Sequence, residues 1–154
     1  ALHWCVPHQS GMKTLDEFSH PSPMRNGADI SVLVVDDETA VRRFAIRVLE
    51  REGISVIEAT DGFEALEICK NCNPDVVVSD IVMPRLNGVE LMQALSVSHP
   101  DMPVILMSGY ATAALAELGI AAPCSIIPKP FPAERLLAEV KRCARRHDGG
   151  SSAA

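Results

Sequence analysis

The feature that most constrains this chain is a repeated change in the spacing of its apolar residues. Short apolar runs, typical of buried strands, alternate with longer segments whose apolar residues recur every three or four positions, as in helices. The runs predict five strands: Ile30–Val35, Ser55–Glu58, Val76–Ser79, Pro103–Met107 and Ser125–Ile127. The segments between and after them predict five helices: Thr39–Glu52, Gly62–Lys70, Gly88–Val97, Thr112–Leu118 and Pro132–His147.

Strict alternation of strands and helices predicts an α/β fold, with a doubly wound five-stranded parallel sheet and helices on both faces. Hydrophobic residues make up 47% of the chain and aromatic residues only 4%, so the core must be aliphatic. Unbroken aliphatic strands are typical of parallel sheets that are covered on both faces. In such sheets, ligands bind at the carboxyl ends of the strands. The residues that follow each strand are therefore the candidate functional residues.

The two ends of the chain differ in composition from its centre. Residues 1–28 contain several prolines and glycines and no sustained apolar period, which predicts a flexible tail or linker. Residues 29–147 are expected to form the folded domain, and residues 148–154 a disordered C-terminal tail.

The net charge of −6 argues against binding nucleic acid through its phosphates. No apolar run is long enough to span a bilayer, and no signal peptide opens the chain. We therefore expect a cytoplasmic protein without a membrane partner.

Five cysteines stand at irregular positions: Cys5, Cys69, Cys72, Cys124 and Cys143. An odd number without regular spacing does not indicate a disulfide framework, so reduced thiols are expected. Cys69 and Cys72 form a lone C-x-x-C pair, which without a second pair does not predict a zinc site. Cys69 is expected to be a small core residue.

Polar residues follow four of the predicted strands. They are Asp36, Asp37 and Glu38 after the first strand, Asp80 after the third, Ser108 after the fourth and Lys129 after the fifth. If the fold is as predicted, these residues meet at one edge of the sheet. Clustered carboxylates repel one another unless a cation lies between them, and their hard oxygens suit Mg²⁺. A carboxylate nucleophile, a metal ion, an ammonium and a hydroxyl are the groups that transfer of a phosphoryl group to a protein needs.

Each of these residues also has a structural explanation. Asp36 or Asp37 could cap the helix that begins at Thr39. Asp80 could be a turn residue, Ser108 could belong to a Ser-Gly turn, and Lys129 could be a solvated loop lysine. The functional interpretation is favoured because it accounts for all of them at one edge of the sheet.

Four stretches of the chain resemble the motifs of CheY-like receiver domains of two-component response regulators. They are Val34-Val35-Asp36-Asp37-Glu38, Ser79-Asp80-Ile81-Val82-Met83-Pro84 with Asn87-Gly88, Met107-Ser108-Gly109-Tyr110, and Lys129-Pro130-Phe131. The resemblance covers roughly residues 30–146, and each stretch closes a predicted strand. It implies a flavodoxin-like fold with strand order 2-1-3-4-5.

The resemblance also implies a role for each site residue. Asp80 would be the phosphoacceptor, Asp37 a direct Mg²⁺ ligand and Asp36 a ligand mainly through water. The backbone carbonyl of Val82 would complete the protein ligands, together with Asp80 itself. Lys129 would contact the phosphate through a loop whose Lys129–Pro130 bond is often cis in the family. Ser108 would be the switch hydroxyl.

The implied function is to accept a phosphoryl group from a histidine kinase or a histidine phosphotransfer protein. The output would be contact with an unknown downstream protein, by a monomer or a weak homodimer that is not an enzyme in the usual sense. A receiver excised from a hybrid sensor histidine kinase would look similar. A metal-dependent phosphatase with an aspartyl nucleophile is disfavoured because no segment is long enough for a substrate-binding cap. A degenerate receiver is disfavoured because the residue set is complete.

Two positions depart from the pattern of the family. Ile126, three residues before Lys129, stands where many receivers have an aromatic residue, so the route from phosphorylation to output is open. Val82 and Tyr110 stand where side chains flank the attacking water. Because neither is acidic, we expect a long-lived phosphoryl group.

Overall fold

The computed structural model of the protein describes residues 30–109 and 122–150. The strands are β1 (Ser31–Val35), β2 (Ser55–Ala59), β3 (Val76–Asp80), β4 (Val104–Ser108) and β5 (Ser125–Pro128). Four helices lie within the described ranges: α1 (Thr39–Arg51), α2 (Gly62–Cys72), α3 (Gly88–Ser98) and α4 (Ala133–Gly150).

The strands form one parallel sheet in the order β2-β1-β3-β4-β5, which confirms the predicted fold class and strand order. The predicted helix at Thr112–Leu118 lies outside the described residues. The last helix reaches Gly150, although the sequence predicted a helix end at His147 and disorder from residue 148. Glycine weakens a helix by about 1 kcal/mol per residue but does not forbid it, so paired glycines are an imprecise stop signal.

The core consists of two apolar layers, one on each face of the sheet. Along β1, Val32 and Val34 pack into one layer, whereas Leu33 and Val35 pack into the other. The first layer includes the buried residues of α1 and α4, and the second includes those of α2 and α3. Because successive strand residues point to opposite faces, a central strand of a sheet covered on both sides must be apolar throughout.

Two phenylalanines in the helical patterns lie outside this core. Phe44 is 44% exposed and Phe63 is 52% exposed. The Phe44 ring lies 5.9 Å from the ring of Phe131, at the edge of the loop that precedes α4. Helical spacing predicts which face of a helix carries an apolar residue, but how much of that face is buried depends on the elements that pack against it.

The expectation of reduced thiols is wrong for three cysteines. Cys124 and Cys143 form a disulfide that links the segment before β5 to α4, and Cys72 is also disulfide-bonded. The positions of the cysteines along the chain did not predict the Cys124–Cys143 pair. Their two Cα atoms lie 6.1 Å apart because α4 docks on the sheet, which is a tertiary contact. Cys69 is a free, fully buried core residue, as predicted.

Within the described part of the chain, no helix is both long enough and apolar enough to span a membrane.

Candidate functional site

Three carboxylates lie together at the carboxyl edge of the sheet, where β1 and β3 end side by side. One oxygen from each of Asp36, Asp37 and Asp80 lies within 4.8 Å of the others. Asp36 is fully buried, Asp80 is 8% exposed, and Asp37 faces solvent. The predicted convergence of these aspartates is therefore present, and the cluster reaches solvent at Asp37.

Lys129 reaches this cluster from the end of β5. Its Nζ lies 3.0 Å from Oδ2 of Asp36 and 3.3 Å from Oδ1 of Asp80. The peptide bond from Lys129 to Pro130 is cis, as the resemblance implied. Lys129 is thus not a solvated loop lysine, because its ammonium is held between two buried carboxylates.

Burial and charge interactions shift the pKa values of Asp80 and Lys129. Burial raises the pKa of Asp80, and the charge of Asp36 raises it further, while Lys129 opposes both effects. Burial alone would lower the pKa of Lys129, but its hydrogen bonds and charge interactions with Asp36 and Asp80 outweigh burial and raise it. The Lys129 ammonium therefore stays protonated at neutral pH, and its single positive charge does not balance the three carboxylates.

The first turn after β1 holds Asp36 in place. The backbone N–H of Glu38 donates to Oδ1 of Asp36 at 2.9 Å. Arg42 donates from Nη1 to the backbone oxygen of Asp36 at 2.8 Å, and its Nε pairs with Glu58 at 2.9 Å. The N-cap of α1 is Glu38 and has no side-chain cap bond, so neither aspartate serves as the cap.

Asp80 is placed by close backbone packing around the end of β3. A Cβ atom on Gly88, the first residue of α3, would overlap the carbonyl oxygen of Asp80. The Gly88 N–H donates to the carbonyl oxygen of Ile81 at 2.9 Å, which closes the loop between β3 and α3. Asn87 and Glu90 form a reciprocal capping box at the start of that helix.

Ser108 is the last residue of β4, and Val82 lies in the loop that follows β3. Ser108 is 6% exposed, and its carbonyl oxygen accepts a hydrogen bond of 2.7 Å from the Lys129 N–H. Val82 follows Asp80 by two residues, with a side chain that is 62% exposed. Ile126 lies in β5 and is partly buried, and Tyr110 falls outside the described residues.

The arrangement fits a hard divalent cation. Oxygens from three carboxylates lie within 4.8 Å of one another, and one ammonium is too little to balance their charge. Mg²⁺ prefers one or two carboxylates together with water and phosphate oxygens, and exposed Asp37 leaves such an open side. The cluster could therefore hold Mg²⁺.

Several residues that support the site were not identified from the sequence. Arg42 donates to the backbone oxygen of Asp36, and Asp61 pairs with Arg85 in the loop that follows β3. Gly88 belongs to one of the receiver-like motifs, but its close approach to the carbonyl of Asp80 was not predicted. The only local signal was Asp61 before Gly62, which is typical of a helix N-cap.

Comparison with known proteins identifies the family. Residues 32–141 match the response regulator receiver domain. The sensor kinase CckA of Brucella abortus (strain 2308) is 42% identical over 121 residues, which cover 77% of this chain and 13% of that protein. The response regulator MprA of Mycobacterium sp. (strain KMS) is 39% identical over 118 residues, which cover 76% of this chain and 51% of that protein. The chain thus spans about half of one relative and a small part of the other.

Solved structures give the same result at the level of the fold. A CheY-like response regulator receiver domain protein from Methanospirillum hungatei JF-1 superposes with a TM-score of 0.73 at 28% identity, covering 79% of this chain and 98% of that one. The receiver domain of NtrX from Brucella abortus superposes with a TM-score of 0.67 at 31% identity, covering 74% of this chain and 98% of that one. With the family match over most of the folded residues, this chain belongs to the receiver domains of two-component response regulators.

Proposed function

We propose that this chain accepts a phosphoryl group on Asp80 in a two-component phosphorelay. The donor would be a phosphohistidine on a histidine kinase or a histidine phosphotransfer protein. One observation carries the proposal: the Lys129 ammonium lies 3.0 Å from Asp36 and 3.3 Å from Asp80, beside an acidic cluster that fits Mg²⁺. The residues proposed as nucleophile, cation and metal ligands therefore lie close together at one edge of the sheet.

The transfer step assigns a task to each group. A carboxylate oxygen of Asp80 forms a bond to phosphorus as the bond from phosphorus to the donor imidazole nitrogen breaks, and the electron pair stays on that nitrogen. Lys129 and the Ser108 hydroxyl contact oxygens of the transferred group. Asp36, Asp37, Asp80 and the carbonyl of Val82 would hold Mg²⁺, which when bound neutralises charge on the phosphoryl oxygens.

The signal would arise from the charge that the step leaves behind. A phosphoryl group adds roughly −1.5 to −2 charges at neutral pH. Lys129, now drawn towards that group, is linked through its backbone N–H to the Ser108 carbonyl at 2.7 Å. A shift of Lys129 therefore pulls on the ends of β4 and β5 together and biases two packings of this edge.

The output would be a changed surface read by a protein target, with no nucleic acid contact, from a monomer or weak homodimer. The kinase would consume ATP, and the transfer of its phosphoryl group to this chain would take place in the cytoplasm.

A receiver that belongs to a hybrid sensor histidine kinase is the second candidate. The sensor kinase CckA supports it, because 121 residues of that kinase align with this chain at 42% identity. The alignment with the response regulator MprA supports the first candidate equally. Sequencing the complete coding region separates them, since only a hybrid kinase places kinase modules in the same chain.

Intact-mass spectrometry tests the proposed chemistry. The protein is incubated with MgCl₂ and acetyl phosphate, and the expected result is one phosphoryl adduct. The adduct should be lost in EDTA and in Asp80→Asn. Asp75→Asn is the matched control, because Asp75 is also buried in the same strand region but lies at the opposite edge of the sheet, where it accepts a hydrogen bond from Ser31.

Each other outcome points to a different function. Sustained turnover of acetyl phosphate would indicate an aspartyl phosphatase. Absence of any adduct would indicate a degenerate receiver that binds partners without phosphorylation. An adduct that persists in Asp80→Asn would place the phosphoacceptor elsewhere.

A further inference from the structure

The loop between β3 and α3, residues 81–87, packs directly on the beginning of α2. At Gly62, a Cβ atom would lie 2.8 Å from the carbonyl oxygen of Leu86. The same Cβ atom would lie 2.9 Å from Cβ and 2.8 Å from Cδ2 of Leu86, so Leu86 packs directly against Gly62 through both its backbone and its side chain. The same loop contains the Val82 carbonyl and follows Asp80 immediately.

An ion pair joins the two segments at this contact. Asp61 is 6% exposed, and its Oδ1 accepts the Glu64 N–H at 2.9 Å as the N-cap of α2. Its Oδ2 pairs with Nη2 of Arg85, in the loop. The Arg85 guanidinium also lies 5.9 Å from the centre of the Phe63 ring, which accounts for an aromatic side chain left outside the core.

The backbone of Arg85 shows that this placement is held against a local preference. Its φ is +67°, in the left-handed region that residues other than glycine rarely adopt. Such conformations persist where the surrounding contacts determine them. Here the contacts are the ion pair to Asp61 on one side and the Gly88 N–H bond to Ile81 on the other.

We propose that Asp61 and Arg85 are positioning residues that hold the loop after β3 so that its Val82 carbonyl is placed for Mg²⁺. This inference rests on the proposed function, because the property that the ion pair would control is the affinity of the acidic cluster for Mg²⁺. Partners outside the ligand shell that orient metal ligands commonly change metal affinity by about 10- to 100-fold. Loss of either residue should therefore weaken Mg²⁺ binding on the order of tenfold.

Two substitutions separate positioning from simple charge. Asp61→Asn keeps the N-cap, since asparagine caps as well as aspartate, but removes the ion pair. Arg85→Gln removes the same ion pair from the other side. A long-range charge effect would weaken Mg²⁺ binding in Asp61→Asn and strengthen it in Arg85→Gln. Positioning predicts that both weaken it, and that the double variant is no weaker than either single variant, because one contact is lost in each case.

Isothermal titration with MgCl₂ measures these affinities, and hydrogen exchange in EDTA supplies a readout without metal. The Leu86 and Gly88 amides donate within the loop, to Pro84 and Ile81, each at 2.9 Å. Both should exchange faster in Asp61→Asn and in Arg85→Gln, while Arg85→Lys should restore part of the protection and of the affinity. Lys70→Ala removes the exposed ion pair to Glu67 and is the control that should change neither.

The outcomes are distinguishable. If the parent protein binds Mg²⁺ and is phosphorylated but both variants bind Mg²⁺ as it does, this inference is overturned and the proposed function stands. Tighter binding in Arg85→Gln, or additive losses in the double variant, would also overturn it. If the parent protein itself binds no Mg²⁺, the proposed function fails and this inference fails with it.

Discussion

Replacing Asp80 with asparagine should stabilise this protein when no metal is present, although the change removes the proposed reactive group. One oxygen of Asp80 lies within 4.8 Å of oxygens of both Asp36 and Asp37. With an effective dielectric constant of about 20, two unit charges 4.8 Å apart repel by about 3.5 kcal/mol. Asp80 therefore experiences two such repulsions.

The attraction to Lys129 offsets only part of this repulsion. At the observed 3.3 Å, the same dielectric constant gives an attraction of about 5 kcal/mol. A net repulsion of about 2 kcal/mol remains before the cost of removing the carboxylate from water. Solvent screens part of the repulsion from exposed Asp37. The cost of burying the Asp80 carboxylate, which is the largest cause of its raised pKa, acts in the opposite direction to this screening. We therefore expect Asp80→Asn to raise the free energy of unfolding in EDTA by about 1–2 kcal/mol.

Urea denaturation followed by circular dichroism measures this difference, with the dependence on urea expected to stay unchanged. Asp75→Asn is the matched control, because Asp75 is 7% exposed and Asp80 is 8% exposed. Its carboxylate accepts the Ser31 N–H at 2.9 Å outside the cluster, so no stabilisation is expected.

Mg²⁺ should reverse this order of stability, so that the parent protein becomes more stable than Asp80→Asn. A ligand at 100 times its dissociation constant stabilises the folded state by about 2.7 kcal/mol, so the parent protein should overtake a variant that has lost a carboxylate ligand. The reasoning is refuted if Asp80→Asn is less stable than the parent protein in EDTA, or if Asp75→Asn gains as much.

The remaining predictions concern packing, thiol chemistry and the lifetime of the phosphoryl group. Gly88→Ala should lower the free energy of unfolding by about 1–3 kcal/mol, because the added Cβ overlaps a backbone carbonyl; unchanged stability in urea would contradict that close approach. Burial raises the pKa of Cys69 to about 11, so its thiol stays protonated at pH 8, and iodoacetamide should modify it only after unfolding. Rapid alkylation of the folded protein would disprove that burial. Removing the disulfide between Cys124 and Cys143, which are 19 residues apart, should cost about 3 kcal/mol of stability by releasing a closed loop of that size. Urea denaturation of the double variant Cys124→Ala, Cys143→Ala and of the parent protein, both without reductant so that the Cys72 disulfide stays intact, measures the difference, and equal stabilities would count against the bond. The exposed, non-acidic side chain of Val82 should give an aspartyl phosphate that lasts for minutes or longer, and loss within seconds, followed by intact mass, would exclude this.

Much of the fold could be predicted because its signals are local. Apolar spacing identified each described strand and helix to within about three residues at either end, since each element must cover or be covered on particular faces. The convergence of Asp36, Asp37, Asp80 and Lys129 could also be predicted, because parallel strands bring their carboxyl ends to one edge whatever their separation along the chain.

Other features could not be predicted because they depend on how close separate segments come. The exposure of Phe63, its contact with Arg85 and the pairing of Cys124 with Cys143 all arise where helices or loops dock. The role of Asp61 as a cap was visible in the chain, but its second oxygen found a partner 24 residues away.

The sequence by itself determined the chemistry of this protein, since the types of residue that follow the strands decide which groups meet at the sheet edge. Only the tertiary structure decided their geometry. Lys129 lies 93 residues from Asp36 along the chain, yet its ammonium is 3.0 Å from one carboxylate and 3.3 Å from another. Such distances follow from the packing of whole helices and strands, which no short stretch of sequence encodes.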